Sequence, residues 1–171
     1  MKGFIHIYTG NGKGKTTAAL GLALRAVGAG KRVFVAQFVK GMRYSEVDAL
    51  EQLGDAVTIK QYGLECFIRK EPTQADIAAA RVGLDEVAEI IELEEHQLII
   101  LDEATIALYY NLFSLEQLLE VLEERGEGCE VVITGRYAPA ELIEYAHLVT
   151  EMREIKHYYN SGVEARKGIE F

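Results

Sequence analysis

The stretch Thr9-Gly10-Asn11-Gly12-Lys13-Gly14-Lys15-Thr16-Thr17 alternates glycines with two lysines and ends in paired hydroxyls. Residues of these types in this order suit a phosphate. Glycines let consecutive backbone N–H groups converge on phosphate oxygens, a following helix adds partial positive charge at its N-terminus, and Lys15 adds a full one. Thr16 would offer its hydroxyl to Mg²⁺. The pattern G-x-x-x-x-G-K-[ST] wants glycine at position 9, where this chain has Thr9 and puts Gly10 one place later, so the phosphate loop is a variant.

Two more sets of chemical groups follow. Leu98-Ile99-Ile100-Leu101-Asp102-Glu103 reads as a buried strand ending in two carboxylates. A phosphate-loop enzyme holds its metal near the carboxyl ends of its strands, which makes Thr16, Asp102 and Glu103 the metal-site candidates. Thr134-Gly135-Arg136 closes the next apolar run and puts a planar guanidinium at the same edge, suited to a polyphosphate.

These groups need a scaffold. Apolar, β-branched runs at Phe4–Tyr8, Arg32–Phe38, Val57–Tyr62, Gln97–Leu101 and Val131–Thr134, with a weaker one at Leu148–Met152, predict strands. Between them, Lys15–Ala29 and Ala75–Glu94 carry helical spacing. Ser114 with Gln117 predicts a capping box, and Pro139 the first turn of a short helix through Ala146. Lys40–Glu46, Gly63–Thr73 and the tail from His157 are expected to be irregular. Nearly all-apolar strands alternating with helices predict an α/β fold, a mostly parallel sheet with helices on both faces.

The 171 residues fit one domain, 1–171. A formal charge of −9 argues against long nucleic acids as partners. The absence of an apolar run near 18 residues and of a leader-like start predicts a cytoplasmic protein without a membrane partner. Cys66 and Cys129 lie far apart, with no zinc-like spacing to any histidine, and read as reduced thiols.

GNGKGKTT, Arg25-Ala26-Val27-Gly28, Gln37-Phe38-Val39-Lys40-Gly41, the LDEAT run at Leu101–Thr105, TGR and the closing KH…SGVEARKGIEF, taken in order, resemble the P-loop ATP:corrinoid adenosyltransferases. The resemblance covers most of the chain outside roughly Met42–Leu93. It implies a P-loop NTPase, RecA-like architecture and a reaction in which Co(I) of a corrinoid attacks the 5′ carbon of ATP and displaces triphosphate. It further implies that Gly10, Asn11, Gly12, Lys13, Gly14, Lys15, Thr16 and Thr17 cradle the triphosphate, with Arg25 reaching the nucleotide. Asp102 and Glu103 would serve Mg²⁺, and Lys15, Arg136 and Glu103 are the candidate catalytic residues. A reductant for cobalt and a homodimer are implied as partners.

The chain departs from the family where bacterial members usually carry G-F-T-W: it reads Gly63-Leu64-Glu65-Cys66-Phe67-Ile68 and has no tryptophan. Tyr62 and Phe67 become the expected corrinoid contacts. It also begins almost directly with its first strand, where many relatives carry an extension. Two other readings stay open on sequence alone: a P-loop ATPase or kinase, in which Glu103 orients water or an acceptor hydroxyl, and a carrier of corrinoid or nucleotide without chemistry.

Overall fold

A computed structural model describes residues 2–64, 68 and 71–171. Six parallel strands form one sheet in the order β3-β2-β4-β5-β1-β6. They are β1 (Ile5–Thr9), β2 (Val33–Phe38), β3 (Val57–Tyr62), β4 (Leu98–Asp102), β5 (Glu130–Thr134) and β6 (Leu148–Glu151). The helices are α1 (Lys15–Gly28), α2 (Ser45–Glu51), α3 (Gln74–Glu92), α4 (Ala104–Tyr109), α5 (Leu115–Glu123) and α6 (Ala140–Tyr145).

Period-two alternation divides the central strands between two cores. Phe34, Ala36, Phe38, Ile99, Leu101, Val131 and Ile133 face α3, α4 and α5, which bury Ala80, Leu84, Val87, Ala107, Leu118 and Leu122 against them. Val33, Val35, Leu98, Ile100 and Val132 face α1 and α2 instead. On α1 the buried stripe is Ala19, Ala23 and Ala26, small residues that let the helix lie close to the sheet. The expected helices on both faces of a parallel sheet are therefore present.

Local signals set the boundaries. The Ser114–Gln117 capping box forms as expected, and Thr73 with Asp76 forms a second one at the start of α3. Pro139 is the residue before α6 rather than its first turn. Two short helices escaped the sequence reading: α4, which starts inside LDEAT, and α2, which begins at Ser45 inside the stretch expected to be irregular. Six or seven residues are too few for a helical period to declare itself. Among the described residues no helix is long and apolar enough to cross a membrane.

β5 lies between β1, which leads into the phosphate loop, and β4, which ends in the carboxylates. All six strands run the same way, so Thr9, Phe38, Tyr62, Asp102 and Thr134 end at one edge of the sheet.

Candidate active site

The phosphate loop is shaped partly by its neighbour strand. Gly10 and Gly14 hold φ of 99° and 115°, in the left-handed region that favours glycine, and Gly14 is the residue on which α1 begins. A Cβ on Gly10 or Gly12 would collide with the backbone of Met152, just past β6. The N–H of Gly12 donates to Met152 O at 2.7 Å. That amide is committed inside the protein and is not among the donors the loop can turn to a phosphate, although Gly12 lines the cleft.

Lys15 Nζ donates to Gly10 O and Gly12 O, both at 2.8 Å, which pins the ammonium in the mouth of the loop. Burial lowers its pKa and the charge of Glu103 pushes it back up. A third donor of the ammonium is left for an anion.

Asp102 is fully buried and is the hub of the site. Its Oδ1 accepts from Thr16 Oγ1 at 2.8 Å and from Thr134 Oγ1 at 2.6 Å. Its Oδ2 accepts from Lys40 Nζ at 2.8 Å and from Gln37 Nε2 at 3.2 Å. Burial alone would raise its pKa, but the charge of Lys40 and the hydrogen bonds from Lys40, Thr134 and Thr16 hold the carboxyl below the usual range. Glu103 behaves oppositely: burial and then the charge of Asp102 push its pKa up, against the pull of Lys40, Lys15 and Arg136.

The sequence motifs LDEAT and TGR are physically joined. Glu103 N–H donates to Thr134 Oγ1 at 3.1 Å, and Thr105 Oγ1 donates to the carbonyl of Arg136 at 2.7 Å. The chain turns sharply here: Val39, Glu103 and Tyr137, after β2, β4 and β5, have φ of 56°, 59° and 60°. Left-handed backbone in non-glycine residues costs about 1–3 kcal/mol each and gathers where geometry serves function.

Two cavities meet at these turns. The larger, about 780 Å³, runs from Gly12–Thr17 along α1 to Tyr44, Ser45 and the C-terminal Gly168–Phe171. The smaller, about 350 Å³, is walled by Ile68, Ile106, Tyr109, Tyr110 and Tyr137. Lys40, Glu103 and Arg136 line both.

The structure brings Lys13, Lys15, Thr16, Thr17, Glu103 and Arg136 together in the larger cleft. Asp102 sits directly behind Thr16. Gly10 gives its carbonyl to Lys15, while Asn11 is exposed beyond the residues lining the cleft. Arg25 is exposed in the last turn of α1, one residue beyond the lining Leu24. Tyr62, expected as a corrinoid contact, is 7% exposed, packs on Phe38 and hydrogen-bonds Glu86, and lines neither cavity. Phe67 and Cys66 lie outside the described residues. Cys129 is buried and its thiol is pushed up to about 11 by burial, which makes it inert.

Sequence reasoning missed Lys40 and the tyrosines. Lys40 lay in view in Gln37–Gly41, but nothing in a lone lysine after a strand says that it turns inward. Tyr109, Tyr110 and Tyr137 are scattered aromatics with no spacing to tie them together. The tail was recognised by its likeness to the family; the structure gives it a place, with Lys13 Nζ donating to Ile169 O at 2.6 Å and pairing with Glu170 at 3.1 Å.

Parallel strands with the loop strand and the carboxylate strand separated by one other define a P-loop NTPase of RecA-like architecture. The solved flagellar accessory protein FlaH from Methanocaldococcus jannaschii shares this fold at TM-score 0.63 and 15% identity, over 88% of this chain and 71% of that one. The family model for ATP:corrinoid adenosyltransferase BtuR/CobO/CobP matches residues 1–171. The corrinoid adenosyltransferase of Escherichia coli K12 is 37% identical over 171 residues, 99% of this chain and 86% of that protein. The one from Sinorhizobium sp. is 38% identical over 173 residues, 99% and 81% respectively. The chain belongs to the ATP:corrinoid adenosyltransferase family.

Proposed function

We propose that this protein transfers the 5′-deoxyadenosyl group of ATP to the Co(I) centre of a corrinoid and releases triphosphate, in making or salvaging cobalamin. The observation that carries the reading is the pair of cavities sharing Lys40, Glu103 and Arg136. One is built on the phosphate loop and lined by Lys13, Lys15, Thr16 and Thr17; beyond the three shared residues, the other is walled by aromatic and aliphatic side chains. A reaction joining a nucleotide carbon to a flat, largely apolar macrocycle needs these two compartments side by side.

The electron pair of Co(I) forms a bond to C5′, the C5′–O bond breaks, and its pair leaves on triphosphate, so cobalt goes from Co(I) to Co(III). No proton is removed, and no general base is required. The protein's work is to hold the two reactants in line and to stabilise the charge gathering on the leaving group. Lys13, Lys15 and the N-terminus of α1 hold the triphosphate, with Arg136 at the junction. The apolar wall keeps water from the reduced cobalt.

Mg²⁺ belongs to this proposal, and the residues fit it. Thr16 Oγ1 donates its hydrogen bond to Asp102 and accepts one from the Lys40 ammonium at 3.4 Å, so its oxygen already faces a cation and keeps a second lone pair for the ion. Thr16 would hold the ion with Asp102 and Glu103 behind it, where it neutralises phosphate charge. The reading also calls for a reductant for cobalt, a cytoplasmic setting and the homodimer that the family likeness implies.

Anaerobic mixing with ATP, Mg²⁺ and cob(I)alamin tests it. A visible spectrum of adenosylcobalamin, with inorganic triphosphate as the other product, is expected. Orthophosphate with an unchanged cobalt spectrum would make the protein an ATPase instead.

A further inference from the structure

Lys40 has no assigned part in the reaction, yet the structure spends much on placing it. The strand β2 ends at Phe38, and Val39 then adopts φ 56°, a strained value for a β-branched residue. The backbone is clamped on both sides of Lys40: a Cβ on Gly63 would collide with the backbone of Val39 and Lys40, and one on Gly41 with that of Gly63 and Leu64. The result is a lysine side chain only 11% exposed, turned across the carboxyl ends of the strands.

We propose that Lys40 is a catalytic residue, whose ammonium meets the departing triphosphate where the nucleotide cleft joins the aromatic cavity. This rests on the adenosyltransferase reading. The reacting C5′ must lie where the two compartments meet, because cobalt approaches from one and triphosphate lies in the other. Lys40 lines both. Lys15 does not, since it lines only the nucleotide cleft and two of its donors are held by Gly10 and Gly12.

Lys40 is also free to act. Asp102 keeps Thr16, Thr134 and Gln37 as donors when one donor of Lys40 turns away, so the buried carboxylate is not orphaned. Gln37 is itself held by Gln61 Nε2, 3.0 Å from its Oε1, so that arrangement is stable without Lys40. An ammonium carries three donors on a flexible stem, enough to keep Asp102 and take a phosphate oxygen together. Charge grows on that oxygen only as the C5′–O bond breaks, so the contact strengthens toward the transition state and acts on kcat.

Lys40→Gln keeps a donor for Asp102 and removes the charge; Lys40→Arg keeps the charge. With ATP and cob(I)alamin, K40Q is expected to lower kcat about 10²–10³-fold with KM for ATP changed only a few-fold, and K40R to recover part of the loss. Calorimetry with inorganic triphosphate should show about tenfold weaker binding to K40Q, and thermal melts should show it folded. Folded K40Q with a near-wild-type kcat, or with unchanged triphosphate affinity, overturns the proposal. Lys40→Met, which keeps the stem, is read the same way if K40Q does not fold; if neither folds, Lys40 is a structural counter-charge and the proposal falls. Should the wild type form no adenosylcobalamin, the adenosyltransferase reading fails, and the triphosphate titration still shows whether Lys40 meets a polyphosphate.

Discussion

Tyr109 and Tyr137 stack with ring centroids 4.5 Å apart at 32°, one from the end of α4 and the other from the loop after β5. Each is 56% exposed, so the pair is an aromatic platform facing solvent on the wall of the smaller cavity. Such a surface suits the flat face of a macrocycle. Tyr109→Ala and Tyr137→Ala should each raise KM for the corrinoid about 3–10-fold, leave KM for ATP unchanged and shift stability by no more than about 0.5 kcal/mol. An unchanged corrinoid KM in both would show that the macrocycle sits elsewhere.

Asp102 ties the site to the fold. Asp102→Ala leaves the Lys40 ammonium buried without its counter-charge and should cost about 3–5 kcal/mol in denaturant titrations. The sign with pH follows from the depressed carboxyl: its unfolded value is about 3.9, its folded value lower. Its stabilisation is complete above about pH 4 and is lost as pH falls through the folded value, so wild type and D102N should converge in stability as the solution is acidified.

Glu103 reverses that sign. Its folded pKa is raised, so the ionised form weighs against the fold at neutral pH, and the penalty lifts as pH falls through the folded value toward about 4.3. Glu103→Gln should therefore raise stability at pH 7 by about 1 kcal/mol while depressing transfer activity, the trade expected of a strained site. A destabilised E103Q at pH 7 would contradict the electrostatics described above.

Most of this framework could be read from the chain. The strand runs, the capping box at Ser114 and the loop from Thr9 to Thr17 are local signals whose physics needs no distant partner. The carboxylates of Asp102 and Glu103 were legible because a buried strand points at them. What stayed hidden depends on contacts across the sequence. Lys40 is drawn into the site by Asp102, 62 residues later, and Gly12 is fixed by Met152. The inward packing of Tyr62 was not legible, because an aromatic at a strand end looks the same whether it packs inward or faces a ligand.

The C-terminal residues close one end of the nucleotide cleft through Lys13, and Ser45 Oγ donates to Phe171 O at 3.1 Å. Removing Gly168–Phe171 should raise KM for ATP about tenfold or less, since exposed contacts contribute modestly, and leave kcat nearly intact. A collapse of kcat with unchanged KM would instead place the tail in the chemistry.

The anchoring of Gly12 to Met152 makes the outermost strand a working part of the binding site. β6 is exposed along its length and, among the described residues, pairs with β1 alone, so it should open more readily than the central strands. Its opening would release Met152 and with it the curve of the phosphate loop. Nucleotide affinity and the opening of this edge are then linked: ATP should slow amide exchange in β6, none of whose residues lines the nucleotide cleft, and a change that leaves β6 open for an appreciable fraction of the time should weaken ATP binding in proportion to the closed fraction that remains.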